Sequence, residues 1–520
     1  MEINHRQASI LYELIQSDTP MTAEALAAKV DLNARVVRFN LPPLDLWLRE
    51  YGVEPPLQTH RGIFLDMPQG GRQRLLRLIP DPLEEMTGIY LRPEFRQLWI
   101  AFQVLASTNP LHSKDFEKVL DLSENTLARD FKQVRKLVEK HTLSLVRKRS
   151  VGTYVEGPEI QIRYALSLIL KRILGDANIV HLCLWKKVQL PNPWTERSLL
   201  RRMTLNVIEK WPLWDSWDAI QRLTSSLGVT YDEVNISRIA LYLAITTIRI
   251  QSGRTVSYPE ERMENIRDNE IFGATKKLLS DPGFAAGINF SDAEIVYLFN
   301  QLITYGYAGF GDEYAHLGDT RMESFLLIAD QIMSQVFSSR GMAYSELPVT
   351  NDLAAHLHRC YHLLRLGVKV HFNLADDVES SYPELFAEIA SITQGISGNP
   401  LINSMLQEES ARVTLYAAMA ILQSQSEGEG QETKIAVVCP TGGVTSRMLM
   451  LRLKTELPEL GRLELMSIRQ LSRGNLENVR AIISTTESIS KDLPVPVLVV
   501  NPFLRDEDIS RIKSWLISEA

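Results

Sequence analysis

Apolar residues recur at helical spacing through most of the chain and give way to short β-branched runs only near its C-terminus. Ile10, Leu11, Leu14 and Ile15 share one face and predict a helix over 6–17. Thr22 can cap a second helix, Ala23–Val30, and Asp31-Leu32-Asn33 makes a tight turn into a third, Ala34–Leu41. Pro42-Pro43 then predicts a stop, because proline lacks the N–H that a helix interior needs. Leu57–Met67, with Arg61-Gly62 at its middle, predicts a β-hairpin. Helix, short turn, helix and wing make a winged helix-turn-helix layout over 1–68. The pattern returns in a second unit over 85–158. Leu111–Leu120, the turn Asp121-Leu-Ser123 and the helix Glu124–His141 are followed by a wing, Val146–Val155.

From 190 to 424 nearly everything reads as helix, and two stretches look alike. Ile236–Ile250 precedes Gly253, and Ser291–Gln301 follows; Asp352–Leu364 precedes Gly367, and Glu408–Tyr416 follows. A repeat of roughly 100 residues predicts tandem helical domains, here 190–312 and 320–424. A polar Gly- and Glu-rich linker at 425–433 comes next. Beyond it Ile435–Val438, Ala481–Ser484 and Val495–Val500 alternate with helical segments, which predicts a small parallel α/β sheet in 434–520. The expected fold class is multidomain and mainly α, with a C-terminal α/β domain.

Composition narrows the partners. A chain of 520 residues, 45% hydrophobic and 23% charged, is folded and too long for one core. Its net charge of −7 excludes a protein that coats nucleic acid everywhere but leaves room for a local basic footprint. That footprint lies in the second winged unit, where 129–149 holds eight Lys and Arg against two acids. Asn125, Thr126, Arg129, Lys132, Arg147, Lys148 and Arg149 are the candidate DNA contacts there, with Arg35, Arg38 and Asn40 in the first unit. Helical hairpins with solvated charge are the competing reading. Three scattered cysteines and no apolar leader predict a reduced, cytoplasmic protein. No apolar run is long enough to span a membrane; the best, Ile239–Ile250, is short and contains Arg249.

Candidate chemistry centres on two residues. Cys439 ends a predicted strand, and Thr441, Gly442, Gly443, Val444, Thr445 and Ser446 carry the chain into a helix. Successive backbone N–H groups there form an anion-binding concavity whose field favours a thiolate able to accept a phosphoryl group. A tyrosine phosphatase needs Arg at the position of Thr445, and Arg447 comes too late; a Walker loop needs a Lys that is absent. A buried core cysteine remains the plain alternative. Leu353, Leu357, Cys360, Tyr361 and Leu364 form one helical stripe, and His356 lies about 60° off it, at a border that predicts partial exposure. His358 and His362 are expected to point outward. They lack further ligands at metal-binding spacing, so neither a metal nor a cofactor is expected.

His356-Leu357, Gly367-Val-Lys369, Asn373-Leu374 and Tyr382–Phe386 resemble the PTS regulation domain (PRD), the histidine-phosphorylated module of regulators controlled by the sugar phosphotransferase system (PTS). That pattern has two acceptor histidines per copy. His356 matches one, whereas Tyr416 in the same copy and Tyr242 and Gln301 in the first copy stand at the other three positions. Lys434–Leu449, Ile483–Thr485 and Pro494–Leu504 resemble the IIB component of these systems, whose cysteine carries phosphate. The order of domains resembles the mannitol-type activators of PTS operons. Many of those end in a IIA-like domain, and this sequence stops at Ala520 without one. RNA-binding antiterminators of the same family begin with a β-rich domain, so the helical N-terminus favours DNA. The resemblance implies a regulator rather than a turnover enzyme, with His356 and Cys439 as phosphoacceptors. It also implies operator DNA, phosphorylated HPr and PTS IIA and IIB components as partners, and a homodimer. A phosphoryl-relay component and a degenerate regulator that senses by protein contact alone are the alternatives.

Overall fold

The computed structural model describes residues 3–519 except 55–56, 60–61, 82, 84–90, 189, 191, 228–230, 232, 259–269, 282–283, 285–287, 306–321, 343, 345–347, 366–374, 426–433, 440–442, 467–470, 472–475, 477–478 and 487–492. The protein is a mainly helical, multidomain chain with one small parallel sheet. It divides into two compact units. Met1–Gly175 and Gln189–Trp211 form the first, Asp176–Val188 and Pro212–Ala520 the second.

In the first unit α1 (His5–Gln16) opens on a capping box in which Asn4 and Gln7 satisfy each other's backbone N–H groups. Its apolar face is buried as the periodicity predicts. Thr22 caps α2 (Ala23–Lys29), and Asn33 caps α3 (Ala34–Glu50). The helix α3 does not stop at Pro42-Pro43 as expected; it runs on for two more turns. Leu41, Leu44, Trp47 and Leu48 are buried along one side, and that burial outweighs two missing backbone bonds. The carbonyls the prolines leave unbonded belong to Arg38 and Phe39, both exposed, where water can take the bond. Strands β1 (Leu57–Thr59) and β2 (Gly62–Phe64) pair antiparallel as the first wing.

Within the same unit, α4 (Gln69–Leu76) and α5 (Pro93–Ala106) lead to a second winged copy of the same design. There α6 (Ser113–Leu120) and α7 (Glu124–Glu139) precede an antiparallel wing of β3 (Ser144–Lys148) and β4 (Gly152–Glu156). The two copies agree in atomic detail at a spacing of 90 residues. Asp31 and Asp121 both take left-handed backbone (φ 57° and 49°) at the turn. Met21 bridges Ile63, and Leu111 bridges Thr153, tying each wing to the residue just ahead of its helix pair. Gly62 and Gly152 make those bridges possible: both have positive φ, and a Cβ would lie 2.4 Å from Met21 O in one copy and 2.9 Å from Leu111 O in the other. Periodicity reveals the repeat of helices but not the role of these glycines, whose signal is a Gly beginning each second wing strand.

After α8 (Glu159–Leu174) the chain leaves the first unit and returns. The helix α10 (Glu196–Ile208) and the segment before it lock the unit together. Asn192 donates to Ser9 O and Glu13 Oε1, and Trp194 packs on Tyr12. Buried Glu196 accepts from Arg6 (2.9 Å) and from the backbone N–H of Arg92 (2.7 Å).

The second unit takes α9 (Asp176–Trp185), held by two hydrogen bonds from Arg238 to Asp176. It continues through α11 (Leu213–Ser226), α12 (Glu233–Gln251), α13 (Glu270–Leu279) and α14 (Asp292–Tyr305), a helical module with Tyr242 and Gln301 buried inside it. A second module follows: α15 (Met322–Ser339), α16 (Pro348–Arg365), α17 (Ala375–Ser381), α18 (Pro383–Thr393), α19 (Pro400–Glu408) and α20 (Ser410–Gln425). The α/β region comprises β5 (Lys434–Val438), α21 (Gly443–Glu456), β6 (Arg462–Leu465), β7 (Val479–Ser484), β8 (Val497–Val499) and α22 (Asp506–Glu519). Its strands are all parallel in the order β6-β5-β7-β8. One face buries Ile435, Val437 and Ile483 against Leu449, Leu453 and Ile512 of the helices. The other buries Ala436, Val438 and Ile482 with Ala177 of α9, so both faces are covered, as parallel sheets require. Met448 and Leu451 of α21 lie in the core of the second helical module. Among the described residues no helix is long and apolar enough to cross a membrane.

Candidate phosphoacceptor site and nucleic-acid interface

The basic surface of the first unit forms because α7 is amphipathic. Leu127, Phe131, Val134 and Val138 are buried, which turns Arg129, Lys132, Arg135 and Lys136 outward. Asp130, one of the two acids of 129–149, is 3% exposed and ion-paired to buried Arg96 at 2.9 Å, with Gln97 donating to its other oxygen. The charge of this surface is therefore eight bases against Glu139 alone. Asn125 is exposed at the start of α7, and Thr126 hydrogen-bonds its cap, Ser123. In the wing Arg147, Lys148 and Arg149 are exposed. The Arg147 guanidinium lies 4.3 Å from the Phe131 ring centroid and donates to Ser113 Oγ, which holds it beside α7. Helix and wing thus present one continuous cationic surface.

The first copy is weaker. Arg35 is exposed and lines a shallow concavity with Asn4, Arg6, Val36 and Phe39. Arg38 is exposed but paired with Glu24 at 2.7 Å. Asn40 is buried, and its amide donates to Val36 O. The expectation that it reads DNA therefore fails. It lies one turn from Val37 on the inward side of α3, a placement that polarity alone does not reveal.

In the second unit His356 is 8% exposed, not partly exposed as expected, and His358 is 3% exposed rather than outward. The helix α16 is enclosed by α15 on one side and α20 on another, so more than one apolar stripe is covered. The His358 ring meets Phe325 edge-on at 5.7 Å. The side chain of His362 lies outside the described residues. His356 Nε2 is 2.9 Å from Glu409 Oε2, and Arg412 Nη1 donates to the same oxygen at 2.5 Å. Cys360 Sγ, one turn along α16, lies 3.4 Å from the same ring nitrogen. The His356 and Tyr416 rings stand 5.6 Å apart, so the two positions that the resemblance paired do meet. Burial alone would raise the Glu409 carboxyl, but the Arg412 guanidinium and the His356 hydrogen bond outweigh it and hold the group down at about 2.

His356, Cys360 and Glu409 offer nitrogen, sulfur and oxygen within 4.8 Å of one another, a donor set that zinc accepts. Here Arg412 and the imidazole already share the carboxylate, and a cation at 2.5 Å from a ligand oxygen opposes a second one. The cluster is complete as a hydrogen-bonded network.

Cys439 follows β5 at the carboxyl end of the sheet and is partly buried. In the order β6-β5-β7-β8 successive connections run to opposite sides of β5, which makes its end a switch point where open α/β sheets bind ligands. Ser446 Oγ donates to Cys439 O at 2.9 Å, and Thr445, in the first turn of α21, is buried. Thr441 and Gly442 lie outside the described residues. Gly443 begins α21, and Val444 follows it with its side chain not described. Arg447 ion-pairs with Asp352, one turn before His356 on α16. Cys183 is fully buried, and burial pushes its thiol far above the usual range.

Two family models match parts of the chain. Residues 217–304 match the PRD domain and residues 95–169 the Mga helix-turn-helix domain. These two matches, both to regulatory families, support a PRD-containing PTS transcription regulator. Over 99% of its length it is similar to two proteins of Bacillus subtilis (strain 168). It is 22% identical to the probable licABCH operon regulator, covering 77% of that protein, and 21% identical to the transcriptional regulator ManR, covering 76%. The PRD match falls on the first helical module, whereas the sequence resemblance rested on residues of the second.

Proposed function

We propose that this protein activates a sugar-PTS operon in the cytoplasm, binding operator DNA as a homodimer through its two winged units. Helix α7 and its wing supply most of the affinity. In this reading 320–424 is a second PRD whose His356 takes a phosphoryl group from phosphorylated HPr. Residues 434–520 are a IIB-like domain whose Cys439 exchanges phosphate with PTS IIA and IIB components. The observation that carries the reading is a cysteine at the switch point of a parallel sheet whose following helix contributes to the core around His356. The names of the two relatives, both regulators and one of an operon, support the transcriptional half.

The test is phosphosite mapping after incubation with phosphorylated HPr and with a phosphorylated IIA component, alongside gel retardation of the promoter fragment. Labelling at His356 lost in His356→Ala, together with salt-sensitive retardation, is the expected result. A second reading has its own support: Tyr242, Gln301 and Tyr416 are buried at the remaining acceptor positions, and His356 is itself enclosed. In it the protein binds DNA but senses through protein contacts. Retardation without labelling at His356 or Cys439 would select it.

A further inference from the structure

The same carboxylate oxygen of Glu409 receives both His356 Nε2 and Arg412 Nη1, at 2.9 and 2.5 Å. An ionised carboxylate can only accept hydrogen bonds, so Nε2 must carry the hydrogen in that contact. A ring nitrogen bearing hydrogen has no lone pair to offer phosphorus. The site is 4% exposed at Glu409 and 8% at His356, so water does not substitute for either partner. A phosphoryl group on Nε2 would need the space and the cation that Glu409 now holds.

We propose that Glu409 is a built-in anionic stand-in for phosphate that keeps His356 Nε2 unreactive, and that Arg412 passes from Glu409 to the phosphoryl group when His356 is modified. The inference rests on His356 being a phosphoacceptor and specifies how that site is controlled. Transfer begins when Glu409 withdraws. Nε2 releases its proton to solvent while Nδ1 takes one up, and the freed Nε2 lone pair forms the new N–P bond. The donor's P–N bond breaks, and its electron pair returns to the donor nitrogen. The product brings close to two negative charges and three acceptor oxygens beside Glu409. Two anions so close in a buried site repel, and the guanidinium fork has more to gain from phosphate than from one carboxylate oxygen. Glu409 is forced out.

The consequence reaches the α/β region. Glu409 and Arg412 stand at the start of α20, whose length packs on α21, the helix that follows the Cys439 loop. An exchange of partners at the start of α20 is therefore felt along the helix that Cys439 also touches through Ser446.

The full chain is incubated with phosphorylated HPr or, separately, with phosphoramidate, a small donor that needs no protein docking. Phospho-His356 is quantified by peptide mapping in the wild type, Glu409→Gln, Arg412→Lys and Arg412→Gln. Glu409→Gln is expected to speed labelling by phosphoramidate about tenfold, the effect of removing one charge-assisted bond. Arg412→Gln is expected to lower the yield about tenfold and hasten loss of the label, with Arg412→Lys recovering part of it. Slower labelling in Glu409→Gln, or an unchanged yield in Arg412→Gln, overturns the proposal. If phosphoramidate labels His356 and HPr does not, the donor named above is wrong and the stand-in survives. If neither donor labels wild type or Glu409→Gln, both fall. Histidine ¹⁵N spectra of the unmodified wild type need no variant: the hydrogen is expected on Nε2, and a His356 ring with hydrogen on Nδ1 alone refutes the arrangement.

Discussion

Gly62 and Gly152 decide whether each wing can close on its helix pair. A methyl at either position meets a backbone carbonyl that cannot swing away, and both residues have a φ that side chains avoid. Gly62→Ala and Gly152→Ala are each expected to destabilise the first unit by about 2–3 kcal/mol, read as a lower denaturation midpoint. Both glycines were in plain view in the sequence. What hid their role was that the Met21 and Leu111 carbonyls come from segments 41 residues away in each copy, information no local pattern holds. Glu409 was equally hidden. Its carboxyl is held at about 2 against 4.5 when free, so its contribution is complete above about pH 4.5 and is lost as pH falls toward 2. The second unit is expected to lose on the order of 3 kcal/mol over that interval, and Glu409→Gln to flatten the loss in acid titrations followed by fluorescence.

The helix proposed to supply most of the DNA affinity carries a continuous apolar stripe. Because α7 buries Leu127, Phe131, Val134 and Val138, its cationic face was legible from periodicity alone. Asp130 was not, since its partner Arg96 lies on α5. Arg129→Ala and Lys132→Ala are each expected to reduce the slope of log affinity against log salt by about 1, with little change in sequence preference. Arg147→Ala is expected to weaken binding more, because it also removes the contact with Phe131 that fixes the wing. Arg38→Ala should matter less, as that cation is already engaged by Glu24. Retardation assays across a salt series measure all four. The length of α3 and the enclosure of α16 were misjudged for one reason. Proline rules and stripe geometry describe a helix alone, and here neighbouring helices bury what a lone helix would expose.

At the scale of the whole molecule, mainly helical architecture with a terminal parallel sheet followed from the change in period near residue 434. The assignment of α9 and α10 to different units did not, because it rests on contacts with residues far away in sequence, Arg238 with Asp176 and Asn192 with Ser9. Residues 1–175 expressed alone lack Asn192, Trp194 and Glu196, leaving Arg6 and the N–H of Arg92 without their buried acceptor. That fragment is expected to melt roughly 10 °C below one spanning 1–211, judged by circular dichroism.

The same exchange of segments bears on inheritance. The chain passes from one unit to the other after Gly175, back after Val188 and across again after Trp211, so no single cut separates two whole units. A gene fusion joined at any one of those points would leave at least one half short: a cut after Gly175 costs the first unit 189–211, one after Trp211 costs the second unit α9, and one after Val188 costs both. A simple end-to-end fusion therefore cannot exchange one unit and keep the other whole; in the proposed reading, a new sensor is gained more readily by altering the one already threaded through.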